Sequence, residues 1–161
     1  MAEKTNATRK LTAMKIPFAE HFYEGDGTLS GQQVAALLGE DESFVFKTLV
    51  TTGKSAKHYV FVVPVGAELD LKKAASAVGE KSIEMLKAKE LLPLTGYIHG
   101  GCSPIGMKKA FRTTIDSTAA QFDSIIFSGG RIGLQVQVSL ENLAKVVRYQ
   151  LADITTELIH R

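Results

Sequence analysis

Two strand-like runs in the first half of the chain restrict its fold more than any other feature. Residues 45–52 and 59–65 are rich in β-branched and aromatic side chains, and a polar turn around residues 53–55 separates them. Such runs form strands, and a short polar connection joins antiparallel neighbours. The pattern therefore predicts a β-hairpin.

Helical and strand patterns alternate along the rest of the chain without a regular βαβ order. Apolar spacing and capping residues predict helices at 5–15, 30–39, 70–78, 140–147 and 151–159, and another from Ser82 or Met85 to Leu92. Further strands are predicted at 18–23, 113–115, 124–127 and 134–138. This mixture indicates an α+β fold with a mixed or mainly antiparallel sheet, in one domain spanning residues 1–161.

Composition excludes several classes of protein. No run approaches the roughly 20 apolar residues that cross a bilayer, and the first residues lack a secretory pattern, so we expect a cytoplasmic protein. Cys102 is the only cysteine, which excludes an internal disulfide framework and a multi-cysteine zinc site. The four histidines lack metal-ligand spacing, and we expect neither a metal nor a cofactor.

The net charge of +2 makes the chain only slightly basic, so contact with a polyanion would depend on local clusters. Lys108, Lys109 and Arg112 form one such cluster. It is either solvated surface charge or a set of phosphate contacts, and the sequence leaves both interpretations open.

Lys47 is unusual because it lies within a strand of apolar and β-branched residues. Side chains alternate along a strand, so Lys47 shares a face with Val45 and Leu49. It is either a lysine at a sheet edge that reaches water, or a fixed cation that anchors a phosphate or carbonyl oxygen in a pocket.

Two glycine-rich segments, 100–106 and 128–133, allow the backbone to approach a ligand closely. The first can equally be a tight turn, and a hairpin turn fully accounts for the glycines of the second. The first segment is not a Walker A loop, because Met107 stands where that motif requires lysine. Cys102 lies near His99, but a thiol nucleophile needs a positioned base and no orienting third residue is evident.

Taken in order, these segments resemble the YbaK/EbsC family of aminoacyl-tRNA deacylases. The stretches that carry the resemblance are KIPF (15–18), FKTLV (46–50), LKKAA (71–75), GYIHGGCSPIGMKK (96–109) and SGGRIG (128–133). They extend over nearly the whole chain, and the form GGxSPxG followed by paired lysines favours the YbaK branch.

The resemblance implies a single α+β domain with a barrel-like sheet and a pocket built around Lys47, the family's key lysine position. Gly101 and Ser128 match further catalytic positions of that pocket. The implied substrate-binding residues are Tyr23, Ser30, Thr48, Gly100, Ser103, Gly129 and Gly130. Ser30 departs from the family, since relatives can carry a bulky apolar residue at its position.

The implied activity is hydrolysis of Cys-tRNA(Pro), and also of Cys-tRNA(Cys), by attack of the cysteinyl thiol on its own ester. The implied partners are aminoacyl-tRNA and prolyl-tRNA synthetase, with phosphate contacts at Lys108, Lys109 and Arg112. Two alternatives stay open at this point: a deacylase for another amino acid, such as alanine, and a non-catalytic module that binds tRNA or nucleotide. The sequence does not assign an oligomeric state.

Overall fold

The structure is a computed structural model, and it describes residues 4–156. Five α-helices lie within these residues: Asn6–Ala13 (α1), Gly31–Leu38 (α2), Leu71–Val78 (α3), Ala88–Thr95 (α4) and Leu140–Val146 (α5). The eight strands are Ala19–Phe22 (β1), Phe46–Gly53 (β2), His58–Pro64 (β3), Ile83–Met85 (β4), Arg112–Asp116 (β5), Ser124–Arg131 (β6), Leu134–Ser139 (β7) and Tyr149–Ala152 (β8). Short 3₁₀ turns follow at Glu42–Phe44 and Ser117–Gln121.

The strands form two sheets. One has the order β1-β7-β6 and is antiparallel, and the other has the order β4-β2-β3-β5-β8 with parallel pairing of β5 to β3 and β8. The α+β fold with mixed, mainly antiparallel strands is thus confirmed, as is the β2–β3 hairpin. The sheets do not close into a barrel. Within the described residues they are joined by a single isolated bridge, between Val45 and Ile126, and not by a continuous pairing of strands.

Caps fix two helices where the sequence predicts them. The Ser30 side chain accepts a hydrogen bond from the Gln33 amide at the start of α2, and the Asp70 carboxylate accepts from two amides at the start of α3. Gly39 and Gly79 end these helices in the left-handed conformation that glycine adopts without strain.

Two predicted helices differ from the structure. Residues 83–85 pair with β2 as strand β4, so α4 begins only at Ala88. The helix continues past Pro93, which has no N–H to donate to the carbonyl of Lys89. Lys89 is exposed, so water can take the place of that donor. The helix predicted at 151–159 is wrong in its first part, where Tyr149–Ala152 pairs with β5. Its last three residues lie outside the described part of the chain.

The central strands β2 and β3 separate two apolar clusters. Val60 and Val62 pack against α1, β6 and β7, whereas Phe61 and Val63 pack against α3. A smaller cluster, which includes Ala35, sits under α2 where the two sheets meet. Burial on both faces explains why β3 is an almost unbroken apolar run. Within residues 4–156, no helix is both long and apolar enough to span a bilayer.

Candidate active site

A cavity of about 520 Å³ lies where the start of β2, the loop after α4, the β6–β7 hairpin and the start of α2 meet. Its size falls within the usual range of ligand sites, about 300–1,000 Å³. The cavity brings together six of the residues predicted from the sequence: Tyr23, Ser30, Lys47, Thr48, Gly100 and Ser128.

Lys47 is half-buried and contributes to the cavity wall. Its amine forms no hydrogen bond or ion pair within residues 4–156. None of the described residues that line the cavity is an aspartate or a glutamate. A cation without a compensating carboxylate gives the cavity an electropositive character, which suits an oxygen atom that gains negative charge.

Thr48 lies on the opposite face of β2, yet it also borders the cavity. Its hydroxyl oxygen is buried and has no hydrogen-bond partner among the described residues. A buried hydroxyl left unpaired costs about 1–3 kcal/mol, and a polar ligand can remove that cost.

The loop after α4 is held rigidly from within. The Tyr97 hydroxyl donates a hydrogen bond to the Ile105 carbonyl at 2.5 Å, and the Gly101 amide donates to the Ile98 carbonyl at 2.9 Å. Gly101 therefore does not offer its amide to the cavity. Gly100 and Cys102 line the cavity, and within the described residues their amides make no hydrogen bond.

The β6–β7 hairpin presents a serine. Ser128 is 9% exposed, and its hydroxyl oxygen accepts a hydrogen bond from the Gly130 amide at 3.1 Å. Its hydrogen is therefore available to a ligand. Gly129 and Gly130 do not line the cavity and instead lie against Thr5. The Gly129 carbonyl accepts a hydrogen bond from the Thr5 hydroxyl, and a β-carbon at Gly130 would lie 2.9 Å from the Thr5 β-carbon.

Four of the predicted contact residues lie outside the cavity lining. Ser103 is fully buried, and its hydroxyl accepts from the Ile105 amide. The Arg112 guanidinium donates to the carbonyls of Ala77 and Val78, on the α3 side of the sheet. Lys108 and Lys109 are exposed but do not line the cavity.

Tyr23 and Ser30 line the cavity, and hydrogen bonds to backbone groups fix the position of each. The Tyr23 amide donates to the Gly133 carbonyl at 3.0 Å, which fixes it beside the hairpin. The Ser30 hydroxyl is the cap of α2 and accepts from the Gln33 amide at 3.1 Å. Its capping role explains why a small polar residue occurs at this position.

Gln135 is a cavity residue that the sequence did not single out. It lies directly opposite Ser128 in the β6–β7 register and is 7% exposed, and its carboxamide makes no hydrogen bond within residues 4–156. The available signal was its place across the hairpin from a candidate serine.

Cys102 lies in the cavity wall and is 8% exposed. Burial raises the pKa of its thiol to about 12, so the side chain is a neutral thiol at physiological pH. This agrees with the missing third residue and argues against a nucleophilic role. No group of three or more potential metal ligands occurs within the described residues.

Comparisons with known proteins agree with this architecture. The sequence profile described as "Aminoacyl-tRNA editing domain" matches residues 27–146. EbsC of Enterococcus faecalis (strain ATCC 700802 / V583), named as a candidate Cys-tRNA(Pro)/Cys-tRNA(Cys) deacylase, is 45% identical over 156 residues, which are 96% of this chain and 95% of that protein.

Two solved structures share the fold at 22% identity. A candidate trans-editing enzyme for prolyl tRNA synthetase has a TM-score of 0.80 and is similar over 97% of this chain and 100% of its own. The hypothetical protein APE2540 has a TM-score of 0.84, with 94% of this chain and 99% of its own covered. At this level of identity the likeness concerns the fold alone.

Proposed function

Because the chain belongs to the aminoacyl-tRNA editing domain family, we propose that it hydrolyses the ester bond between tRNA and a wrongly attached amino acid. The substrate is Cys-tRNA(Pro), together with Cys-tRNA(Cys). The name of the 45% identical relative EbsC supports this choice of amino acid and tRNA.

The observation that carries the proposal is the unpaired Lys47 amine in a cavity whose described lining contains no carboxylate. Ester cleavage places negative charge first on the carbonyl oxygen and then on the departing ribose oxygen. A fixed cation in a site shielded from water stabilises that charge more than bulk water does. Lys47 holds either this charge or the last phosphate of the tRNA.

The nucleophile comes from the substrate. The cysteinyl sulfur attacks its own ester carbonyl, a carbon–sulfur bond forms, and the bond from that carbon to the ribose oxygen breaks. The thiol proton ends on the ribose oxygen, and water later opens the thiolactone to release cysteine. The protein contributes position and electrostatic stabilisation, in agreement with the protonated Cys102 thiol.

Neighbouring groups orient the aminoacyl end. The Ser128 hydroxyl has a free hydrogen, and Gly100 and Cys102, which line the cavity, have amides that make no hydrogen bond within the described residues. The buried Thr48 hydroxyl gains a partner when the ligand binds. Together these donors surround a carbonyl oxygen without requiring an acidic residue.

Prolyl-tRNA synthetase is the proposed partner. A cavity of about 520 Å³ holds an aminoacyl group and little of the tRNA, so the identity of the tRNA must be read elsewhere. The structural likeness to a candidate trans-editing enzyme for that synthetase supports this choice.

The test is a panel of cysteinyl, alanyl and seryl esters on tRNA(Pro), with Lys47→Met beside the wild type. We expect rapid release of cysteine alone and a loss of about 100-fold in kcat/KM in the variant, the usual cost of one stabilising donor. Lys81→Met, which alters an exposed lysine outside the cavity, is the matched control.

Three results would contradict the proposal. Unchanged hydrolysis by Lys47→Met would remove the role of the amine. Equal rates for seryl and cysteinyl esters would remove assistance by the substrate thiol. Binding of tRNA without release of any amino acid would leave only the non-catalytic alternative.

A further inference from the structure

Three of the stretches of the chain that lack an acidic residue meet in the fold. They are residues 4–19, 91–115 and 124–140, and all 17 aspartates and glutamates lie in other parts of the sequence. Four basic residues occur in the first segment, three in the second and one in the third. This asymmetry is hidden by the overall net charge of +2.

The fold packs these three segments together at α1. The Thr5 hydroxyl donates a hydrogen bond to the Gly129 carbonyl, which ties the start of α1 to the β6–β7 hairpin. A β-carbon at Gly106 would lie 2.8 Å from the carbonyl carbon of Asn6, so the loop after α4 also touches α1. The same loop meets the hairpin, because a β-carbon at Gly101 would lie 2.9 Å from the α-carbon of Arg131.

The basic side chains of this junction have no acidic partner. Within residues 4–156, none of them forms an ion pair. All are exposed except Arg131, which is half-buried. We call the following set the basic face: Lys4, Arg9, Lys10, Lys108 and Lys109. Arg112 and Arg131 are excluded because their guanidinium groups donate to backbone carbonyls, those of Ala77 and Val78 for Arg112 and that of Ile132 for Arg131.

We propose that the basic face binds the phosphate backbone of the acceptor stem of tRNA. This inference rests on the proposed function, since it assigns the surface that holds the substrate outside the cavity. Lysine and arginine side chains without acidic neighbours neutralise phosphates and release counterions. The acidic residues of the chain lie in other segments of the sequence, and none of the described ones forms an ion pair with these side chains.

The position of the face relative to the cavity supports an RNA ligand. Gly100 lines the cavity and belongs to the same segment as Lys108 and Lys109, and Ser128 lines it from the hairpin that is tied to the start of α1. We expect a 3′ end bound at Lys47 to lead its preceding nucleotides past these segments. Contacts to phosphates fix position without reading sequence, which leaves tRNA identity to another protein.

The experiment compares two double variants of the face with a control. The variants are Arg9→Gln with Lys10→Gln, and Lys108→Gln with Lys109→Gln. The control is Lys72→Gln with Lys81→Gln, which removes two exposed lysines that lie next to the acidic residues Asp70, Glu80 and Glu84 in the sequence. Each protein is assayed on full-length Cys-tRNA(Pro) and on the cysteinyl ester of adenosine, at several salt concentrations.

We expect each face variant to raise KM for the full tRNA about tenfold. The negative slope of log(kcat/KM) against log salt should become less steep by about 2, because two phosphate contacts are lost. Hydrolysis of the adenosine ester should stay unchanged, because it does not reach the face. The control should behave as the wild type on both substrates.

The outcomes separate this inference from the proposed function. Unchanged KM and salt slope in both face variants, with kcat/KM still lowered about 100-fold by Lys47→Met, would overturn the basic face and leave the deacylase intact. If the wild type releases no amino acid, the proposed function fails, and anisotropy of labelled uncharged tRNA still tests the face. A defect seen only when prolyl-tRNA synthetase is present, with normal binding of tRNA alone, would assign the face to a protein partner and overturn the RNA assignment.

Discussion

The α-carbon of Arg131 lies so close to Gly101 that a β-carbon at residue 101 would be only 2.9 Å away. This distance is shorter than any contact a side-chain carbon tolerates, and the opposing atoms belong to the backbone. The loop after α4 and the β6–β7 hairpin can therefore pack this closely only because residue 101 has no side chain.

Gly101→Ala should therefore force the two loops apart. We expect a loss of about 1–3 kcal/mol in the free energy of unfolding, together with a loss of deacylase activity, measured by urea titration and by release of cysteine. Gly66→Ala is the control, because its new carbon would meet the ends of the Glu42 and Gln32 side chains, which are exposed and can move. Equal effects of the two substitutions would contradict the assigned contact.

Tyr97→Phe should loosen the loop after α4. The change removes the hydroxyl that donates to the buried Ile105 carbonyl and leaves that carbonyl unpaired, at a cost of about 1–3 kcal/mol. We expect lower stability in urea and a higher KM for the ester. Tyr149→Phe, which removes a donor to the Leu140 carbonyl at 3.1 Å, should lower stability without changing KM. A normal KM for Tyr97→Phe would show that the loop keeps its shape without this bond.

The Cys102 thiol should resist alkylation until the pH is strongly alkaline. Burial raises its pKa from 9.0 to about 12, so the thiolate is scarce in the folded protein at neutral pH. Mass spectrometry after iodoacetamide treatment should detect little adduct in the native protein and full adduct in urea. Cys102→Ala should retain deacylase activity. Fast alkylation of the native protein, accompanied by loss of activity, would instead support a nucleophilic role for the thiol.

The same shift predicts how stability depends on pH. Above pH 9 the thiol ionises in the unfolded chain but stays protonated in the folded one, so its contribution favours unfolding as the pH rises. Cys102→Ala should therefore lose less stability than the wild type between pH 9 and pH 11 in urea titrations. Parallel curves for the two proteins would place the cysteine in a more solvated setting.

Gln135→Met should separate binding from stability. Gln135 is 7% exposed and its carboxamide bonds to no described residue, so an apolar replacement of similar length removes no hydrogen bond within the protein and should leave the free energy of unfolding nearly unchanged. If the carboxamide binds the aminoacyl group, kcat/KM should fall about tenfold, a difference near 1.4 kcal/mol. Gln137→Met, on the same strand but outside the cavity, is the control for deacylation. Full activity of Gln135→Met would exclude the residue from binding.

Sequence reasoning succeeded where local signals decide the structure. Ser30 and Gly39 enclose α2, and alternating apolar residues define the β2–β3 hairpin, because capping and pleating depend on near neighbours. It failed for β4 and β8, which consist of three and four residues. These strands exist because distant partners pair with them, and helical spacing in the sequence cannot reveal that pairing.

The site was accessible from sequence only in part. Lys47 and Ser128 carry visible signals, since a charged residue in an apolar strand and a serine before two glycines are unusual. Gln135 shows no such signal, and its place in the cavity wall becomes evident only from the register that sets it opposite Ser128. Arg112 looks like its neighbours Lys108 and Lys109 in the sequence, but the start of β5 turns its guanidinium toward α3.

The pairing of β8 with β5 has a consequence during synthesis. Ile154 is completely buried, and its amide donates to the Asp116 carboxylate, so β5 gains its second neighbour only after residue 154 has been made. The smaller sheet likewise waits for β7 before β1 can pair. A growing chain therefore holds both sheets incomplete, with strand edges open to chaperones, until these later partners have been made.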